Sequence, residues 1–195
     1  MNVTDTTGLY GNSCGPKKKK NWKTRAGRVQ SGAMKFVLID KIMELDSGKR
    51  IRTVKSVSLA EEYLGDHFPT FPVLPGVLLL EGLIESASWL VREKTGFGQS
   101  MVLLEQARNV KYKSFAAPGM QIDYEVTAGG IEENVSRFTG VGTCGDEAIV
   151  EAKFTLRHFN LADENPAMAA IDGEVVEAMR RRWILLYPAA RKAAG

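Results

Sequence analysis

The chain is poor in the residues from which metal centres, disulfide frameworks and membrane anchors are built. Of 195 residues only two are cysteine and two are histidine. Cys14 and Cys144 lie far apart and form neither a metal-ligand spacing nor a disulfide framework. That pattern suits a reducing cytosol, so a cytoplasmic location is expected, with no metal and no organic cofactor. No run of eighteen or more apolar residues occurs, and the stretch from Val77 to Leu80 is far too short to span a bilayer. Acidic residues are almost missing from residues 1–33, where seven Lys and Arg stand against Asp5 alone. That segment carries +6 of a total of +3, which leaves −3 for residues 34–195.

The leader also lacks the apolar core of a secretory signal. Rich in Gly, Asn, Thr and Lys and without apolar periodicity, it cannot bury enough surface to offset its ordering entropy. Residues 1–33 are therefore expected to be a disordered basic extension, with Met34 opening the first patterned segment. A basic arm that touches nucleic acid or an acidic partner is the alternative. The acidic remainder of the chain, and the lack of interleaved aromatics apart from Trp22, weigh against it.

From Phe36 the pattern changes. Phe36 to Leu45 reads as a strand, Asp46 to Lys49 as a turn, and Arg50 to Ser58 alternates with period two, so the two strands predict a hairpin. Leu59 to Asp66 predicts a short helical turn. Pro69, Pro72 and Pro75 then stiffen a loop, because each fixes its own φ and biases the residue before it towards extended geometry. A helix is predicted from Pro75 or Gly76 to about Lys94, ended by Gly96 and Gly98. Its first half is apolar on nearly every face, which predicts a surrounded helix. Strands follow over Ser100–Ser114, Met120–Ala128, Ser136–Thr143 and Glu147–Phe159. The economical solution is a curved antiparallel sheet wrapped around one buried helix, an α+β fold. A second helix is predicted over Gly173–Leu186, with Val175, Val176, Met179 and Trp183 at helical spacing and Arg180, Arg181 and Arg182 snorkelling or facing water.

The candidate chemistry sits in one stretch, His67-Phe68-Pro69-Thr70-Phe71-Pro72-Val73-Leu74-Pro75-Gly76, with Glu81 just beyond it. An imidazole exchanges protons near neutrality. A carboxyl on the second turn of an apolar helix is costly to ionise, so Glu81 is expected to hold a proton that it can donate. Glu85, one turn on, competes for any acidic role. Gly76 lets a ligand approach the helix start, where free N–H groups can stabilise a carbonyl gaining negative charge. Base, acid and oxyanion stabiliser together can remove a proton beside a carbonyl and expel a β-hydroxyl. Phe68, Phe71, Val73 and Leu74 would line a site for an apolar substrate.

The run from Gly65 through Pro75-Gly76-Val77 to Glu81 closely resembles the signature of the 3-hydroxyacyl-[acyl-carrier-protein] dehydratases of the FabZ/FabA type. The similarity continues through Leu38–Ile51 on one side and Ala107–Gly119 on the other. The resemblance implies the hotdog fold, with a dehydratase domain over residues 34–160 and a carboxy-terminal extension over 161–195. It further implies dehydration of (3R)-hydroxyacyl thioesters to trans-2-enoyl thioesters in fatty acid biosynthesis. His67 would be the base on C2, Glu81 would assist departure of the C3 hydroxyl, and the N–H groups of Gly76 and Val77 would polarise the thioester carbonyl. Phe68, Phe71, Leu74 and Pro75 are the candidates for the substrate tunnel. In the family the histidine and glutamate of one site come from different subunits, so a homodimer or a trimer of dimers is implied. Glu85 stands where the family commonly has glutamine, and Asp66 is an extra residue before His67.

An acyl carrier protein is acidic, and Arg108, Lys111 and Lys113 are the candidates for docking it. No nucleic-acid or membrane partner is expected. Two other hotdog functions compete: an acyl-thioester binder without turnover, and a thioesterase. A binder has no need of an acid–base pair, and a thioesterase would release a free thiol in place of an enoyl product.

Overall fold

The computed structural model describes residues 36–68 and 70–189. The expectations for residues 1–33, and Pro69 of the loop, lie outside the described residues. The chain runs through β1 (Lys41–Asp46), β2 (Arg50–Ser56), α1 (Tyr63–Asp66), α2 (Gly76–Lys94), β3 (Met101–Tyr112), β4 (Gln121–Ile131), β5 (Val135–Cys144) and β6 (Glu147–Phe159). Two 3-10 turns (Leu161–Asp163 and Pro166–Met168) lead into α3 (Ala169–Leu186). The strands form one six-stranded sheet in the order β1-β2-β4-β5-β6-β3, and every neighbouring pair is antiparallel.

Period-two alternation decides which face of the sheet turns inwards. Ile122, Tyr124 and Val126 of β4 and Val150, Ala152, Phe154 and Leu156 of β6 are buried. Gln121, Glu125, Thr127, Lys153 and Arg157, between them, are exposed. The inward face wraps α2, which touches β2, β3, β4, β5 and β6. Two glycines let the layers approach this closely. A Cβ on Gly82 would stand 2.4 Å from the Tyr124 ring, and one on Gly140 would stand 2.9 Å from Leu83 Cδ2. Tyr124 fills the space that Gly82 leaves, with its hydroxyl buried and unpartnered.

The predicted elements stand, with four corrections. The first strand begins at Lys41, not Phe36, although Leu38 and Ile39 are already buried. The Leu38 N–H donates to Glu85 Oε2 at 3.1 Å, and bonding to β2 starts at Asp40, whose N–H donates to Val54 O at 2.7 Å. β4 runs past Ala128 to Ile131, its register shifting between Ala128 and Gly130. α3 starts four residues before Gly173, and the Asn165 side chain caps the 3-10 turn ahead of it. The fourth correction concerns α2. Its second half is enclosed, with Trp89, Leu90 and Val91 at 2% exposure or less, but in the first half, where the sequence predicts a surrounded helix, Val77 is 69% exposed and Glu81 is exposed as well. Strands β2 to β6 cover one side of the helix and leave the stripe at i and i+4 uncovered.

The carboxy-terminal helix is fastened to the end of α2. Trp183 packs at 6.0 Å from Trp89 and 5.9 Å from Phe97, centroid to centroid. Of the three arginines, Arg180 and Arg181 are exposed as expected and only Arg182 departs from the expectation. Arg181 pairs with Glu177, Arg180 lies 4.8 Å over the Phe97 ring and donates to Gly96 O, and Arg182 donates to Glu85 at 2.6 Å. Buried Asp172 accepts from the Ser100 hydroxyl and from the N–H groups of Leu161 and Ala162. Arg92, lowered by burial to about 10, donates to the carbonyls of Gln99 and Ser100.

His158, the second histidine, is fully buried between β5 and the turn before β3. Its Nδ1 lies 2.7 Å from Gln99 Oε1, an oxygen that can only accept, so Nδ1 carries the proton and Nε2 accepts from the Ser136 hydroxyl at 2.8 Å. Burial holds its pKa below the ordinary imidazole value. Neutral His158 therefore contributes stability that is complete above the unfolded-state pKa of about 6.5 and is lost as pH falls through the lower folded value. Urea midpoints should fall with pH over this window, and His158→Gln should flatten that slope. An unchanged slope would assign the acid sensitivity to other groups.

Candidate active site

The two halves of the candidate site are positioned by the two ends of a short loop. His67 caps the carboxy-terminus of α1 in extended geometry, half-buried, with its ring 4.4 Å from that of Phe68. Phe68 takes a left-handed φ of 51°, rare for an aromatic residue, and its carbonyl accepts from the Phe71 N–H at 2.8 Å to close a tight turn. Val73 and Leu74 are buried, and the Leu74 N–H donates to Ala116 O at 2.8 Å, which sews the loop to the segment after β3. Pro75 is the cap residue of α2, and its carbonyl accepts from the N–H groups of Leu78 and Leu79. The N–H groups of Gly76 and Val77 precede the helical ladder and point to the space ahead of it.

Of the predicted tunnel residues, Phe68 and Phe71 are exposed at 59% and 60%, Pro75 is half-buried, and Leu74 belongs to the core. Two aromatics that sequence reading missed complete the rim. Phe115 meets Phe71 edge-on at 6.1 Å. The Tyr112 ring lies 3.3 Å from where a Cβ on Gly76 would stand, so it explains the glycine at the helix start. Burial raises the Tyr112 phenol above its usual pKa. Both follow Lys111 in a segment read as a strand end, where alternation carries no information about a loop packed across it.

Glu81 lies one turn into α2 on the uncovered stripe, so the expectation of a buried carboxyl is corrected. Its pKa is nevertheless raised, first by partial burial and then by repulsion from Glu85. Among the described residues no hydrogen bond or ion pair joins His67 to Glu81 within one chain. The docking candidates lie on the outward face around β3. Arg108 stands opposite Lys153, Lys111 stands opposite Glu151, and Lys113 pairs with Glu151. Arg108, Arg137 and Lys153 border a groove of about 320 Å³ that Phe138 and Phe154 also line. That groove contains neither His67 nor Glu81. Among the described residues no group of three His, Cys, Asp or Glu is placed to hold a metal ion, and no helix is long and apolar enough to cross a membrane.

The FabA-like domain profile matches residues 31–153. The chain belongs to the FabA-like family. Curated relatives agree with this membership. A 3-hydroxyacyl-[acyl-carrier-protein] dehydratase FabZ of Aromatoleum aromaticum is 32% identical over 123 residues, 62% of this chain and 85% of that protein. The FabZ of Gluconobacter oxydans is 34% identical over 122 residues, 62% of this chain and 72% of that protein. Among solved structures the dehydratase heterocomplex ApeI:P of Xenorhabdus doucetiae superposes with a TM-score of 0.57 at 16% identity, covering 68% of this chain and 90% of that one. The sheet around α2 is thus the hotdog fold. The family match stops short of α3.

Contact between Tyr112 and Gly76 gives this FabA-like site a direct test. Gly76→Ala should destabilise the chain by forcing the ring aside, and Tyr112→Ala should relieve that cost. Denaturant melts of the two single variants and the double should give a coupling energy of about 0.5–3 kcal/mol. Additive losses would show that the two do not touch.

Proposed function

We propose that the chain is a 3-hydroxyacyl-[acyl-carrier-protein] dehydratase of fatty acid biosynthesis, with residues 34–160 as the catalytic domain and 161–195 as an extension of it. The observation that carries this reading is the placement of a base, His67, and a carboxyl of raised pKa, Glu81, on either side of the Pro75-Gly76 helix start within a FabA-like domain. The His67 imidazole takes a proton from C2 of the bound (3R)-hydroxyacyl thioester. The electron pair forms the C2–C3 double bond, and the hydroxyl on C3 leaves as water with the proton of Glu81. The N–H groups of Gly76 and Val77, at the positive end of α2, stabilise the thioester oxygen as it gains charge. Phe68, Phe71, Tyr112 and Phe115 give the acyl chain an apolar rim.

One chain leaves this site half-built. Val77 and Glu81 face outwards, and β3 is a twelve-residue edge strand with Leu103 and Leu104 exposed at 46% and 41%. An edge of that length with apolar residues on it calls for a cover. A second copy of the chain, pairing at β3 and closing over the α2 stripe, would complete each site with a histidine from one subunit and a glutamate from the other. Three such dimers are the larger assembly consistent with this reading. Arg108 and Lys111, with Lys153 beside them, offer the acidic carrier a cationic face, and Lys113 extends it. The protein works in the cytoplasm.

With a 3-hydroxyacyl carrier substrate, the conjugated enoyl product should appear without free thiol. His67→Ala should abolish it in a folded protein, and Glu81→Gln should slow it by about 10²–10⁴-fold with little change in binding. Thiol release in place of enoyl product would make the protein a thioesterase, and neither product would make it a binder. Because Glu81 works protonated and its pKa is raised, turnover should persist above the usual carboxylate range and fall as pH rises through the Glu81 value. Mixed His67→Ala and Glu81→Gln subunits should regain activity, since one of the two sites in a heterodimer receives both intact residues. Heterodimers verified by mass that stay inactive would remove the shared site.

A further inference from the structure

Glu85 lies one helical turn beyond Glu81 on the same side of α2, and Arg182 reaches it from α3, a helix beyond the FabA-like match. We propose that Arg182 is a positioning residue for the dehydration: its ion pair keeps Glu85 ionised, so that the proton held on this side of α2 stays on Glu81. The inference rests on the role of Glu81 given above and assigns α3 a part in that role.

Carboxyls four residues apart on a helix stand about 5–6 Å apart at their Cβ atoms, near enough that both do not ionise freely in a partly dry site. Some feature must decide which one keeps the proton. Glu85 has the cation: Arg182 Nη2 stands 2.6 Å from its Oε1, and the Leu38 N–H donates to its Oε2 at 3.1 Å. The pair is largely withdrawn from solvent, at 30% and 16% side-chain exposure. The other titratable groups facing Glu85 are Lys55 on β2 and Tyr124 on β4. Lys55 is committed to Glu61 at 2.6 Å and to Asp40 at 3.5 Å, and burial keeps the Tyr124 phenol neutral. Glu81 has no cation among the described residues, and the charge on Glu85 opposes its ionisation. Burial is the largest influence on both carboxyls and raises both, but at Glu85 the Arg182 guanidinium and the Leu38 N–H act against it, whereas at Glu81 the charge on Glu85 adds to it.

Arg182 is not what holds α3 in place. Asp172, Arg180 and Trp183 fasten the helix through separate contacts, so Arg182→Met should keep the fold, with a melting temperature lowered by the loss of one partly buried ion pair. In that variant Glu85 should take up a proton more readily and Glu81 should ionise at lower pH. Turnover near neutrality should fall by about tenfold, the equivalent of one pKa unit. Glu85→Gln keeps an acceptor for Leu38 but leaves Arg182 uncompensated near Glu81, so the alkaline limb of the pH–rate profile should again move to lower pH. Removing both charges in Glu85→Gln/Arg182→Met should move the limb back towards the parent, and Arg182→Lys should retain the parent profile.

Carboxyl carbon NMR titration of the full chain reads the same assignment without turnover. In Arg182→Met the Glu85 resonance should titrate higher and the Glu81 resonance lower than in the parent. The proposal is overturned if neither titration moves, if Glu85 moves without Glu81, or if the double variant behaves as the worse single one. A parent protein that dehydrates no hydroxyacyl substrate while both titrations shift as expected would sink the reaction and leave the charge assignment standing. A parent that turns over with titrations unmoved by Arg182→Met would do the reverse.

Discussion

The close contact between Gly82 and the Tyr124 ring sets the rest of the molecule. With no side chain at 82, α2 settles onto the sheet until the phenol fills the gap, and Leu83 meets Gly140 beside it. The two contacts fix both the depth and the rotation of the helix. Once 82 and 83 face the sheet, the 3.6-residue period turns 77 and 81 to the opposite side. Glu81 is therefore presented outwards because its neighbour is seated inwards. The orientation of the candidate acid is a consequence of packing a full turn of helix against a tyrosine.

That rotation also explains why the described chain shows apolar surface. Val77, Leu103, Leu104 and the aromatic rim around His67 are exposed together, although the sequence spends apolar residues there as freely as in the core. A hotdog sheet encloses one side of its helix, and in the single chain the other side stays exposed. The raised pKa of Glu81 in a single chain is already in the direction that a general acid needs, and further desolvation by a covering subunit would act in the same sense.

The carboxy-terminal helix, outside the family match, is tied to the helix that carries Glu81. Its aromatic seat on Trp89 and Phe97 and its polar bolts at Asp172 and Arg180 make α3 a fixed platform. From that platform Arg182 reaches into the helix that carries Glu81. The carboxylate of Glu85 gives this platform a charge to act on.

Much of this was legible from local pattern. Alternation in β4 and β6 marked the inward face, the three prolines and Gly76 marked the start of α2, and the His67-to-Glu81 run marked the family. Local pattern was silent or misleading where partners come from far along the chain. The Leu38 N–H goes to Glu85, the Tyr112 ring explains Gly76, and Arg182 finds Glu85 across 97 positions where composition suggested solvent. The sequence by itself determined the elements, the fold family and the pair of residues able to move protons, because these depend on short-range periodicity and on chemical identity. Only the tertiary structure decided that Glu81 faces outwards and that Arg182 of α3 pairs with its neighbour Glu85, because helix rotation and ion pairing are settled by which distant surfaces fit against one another.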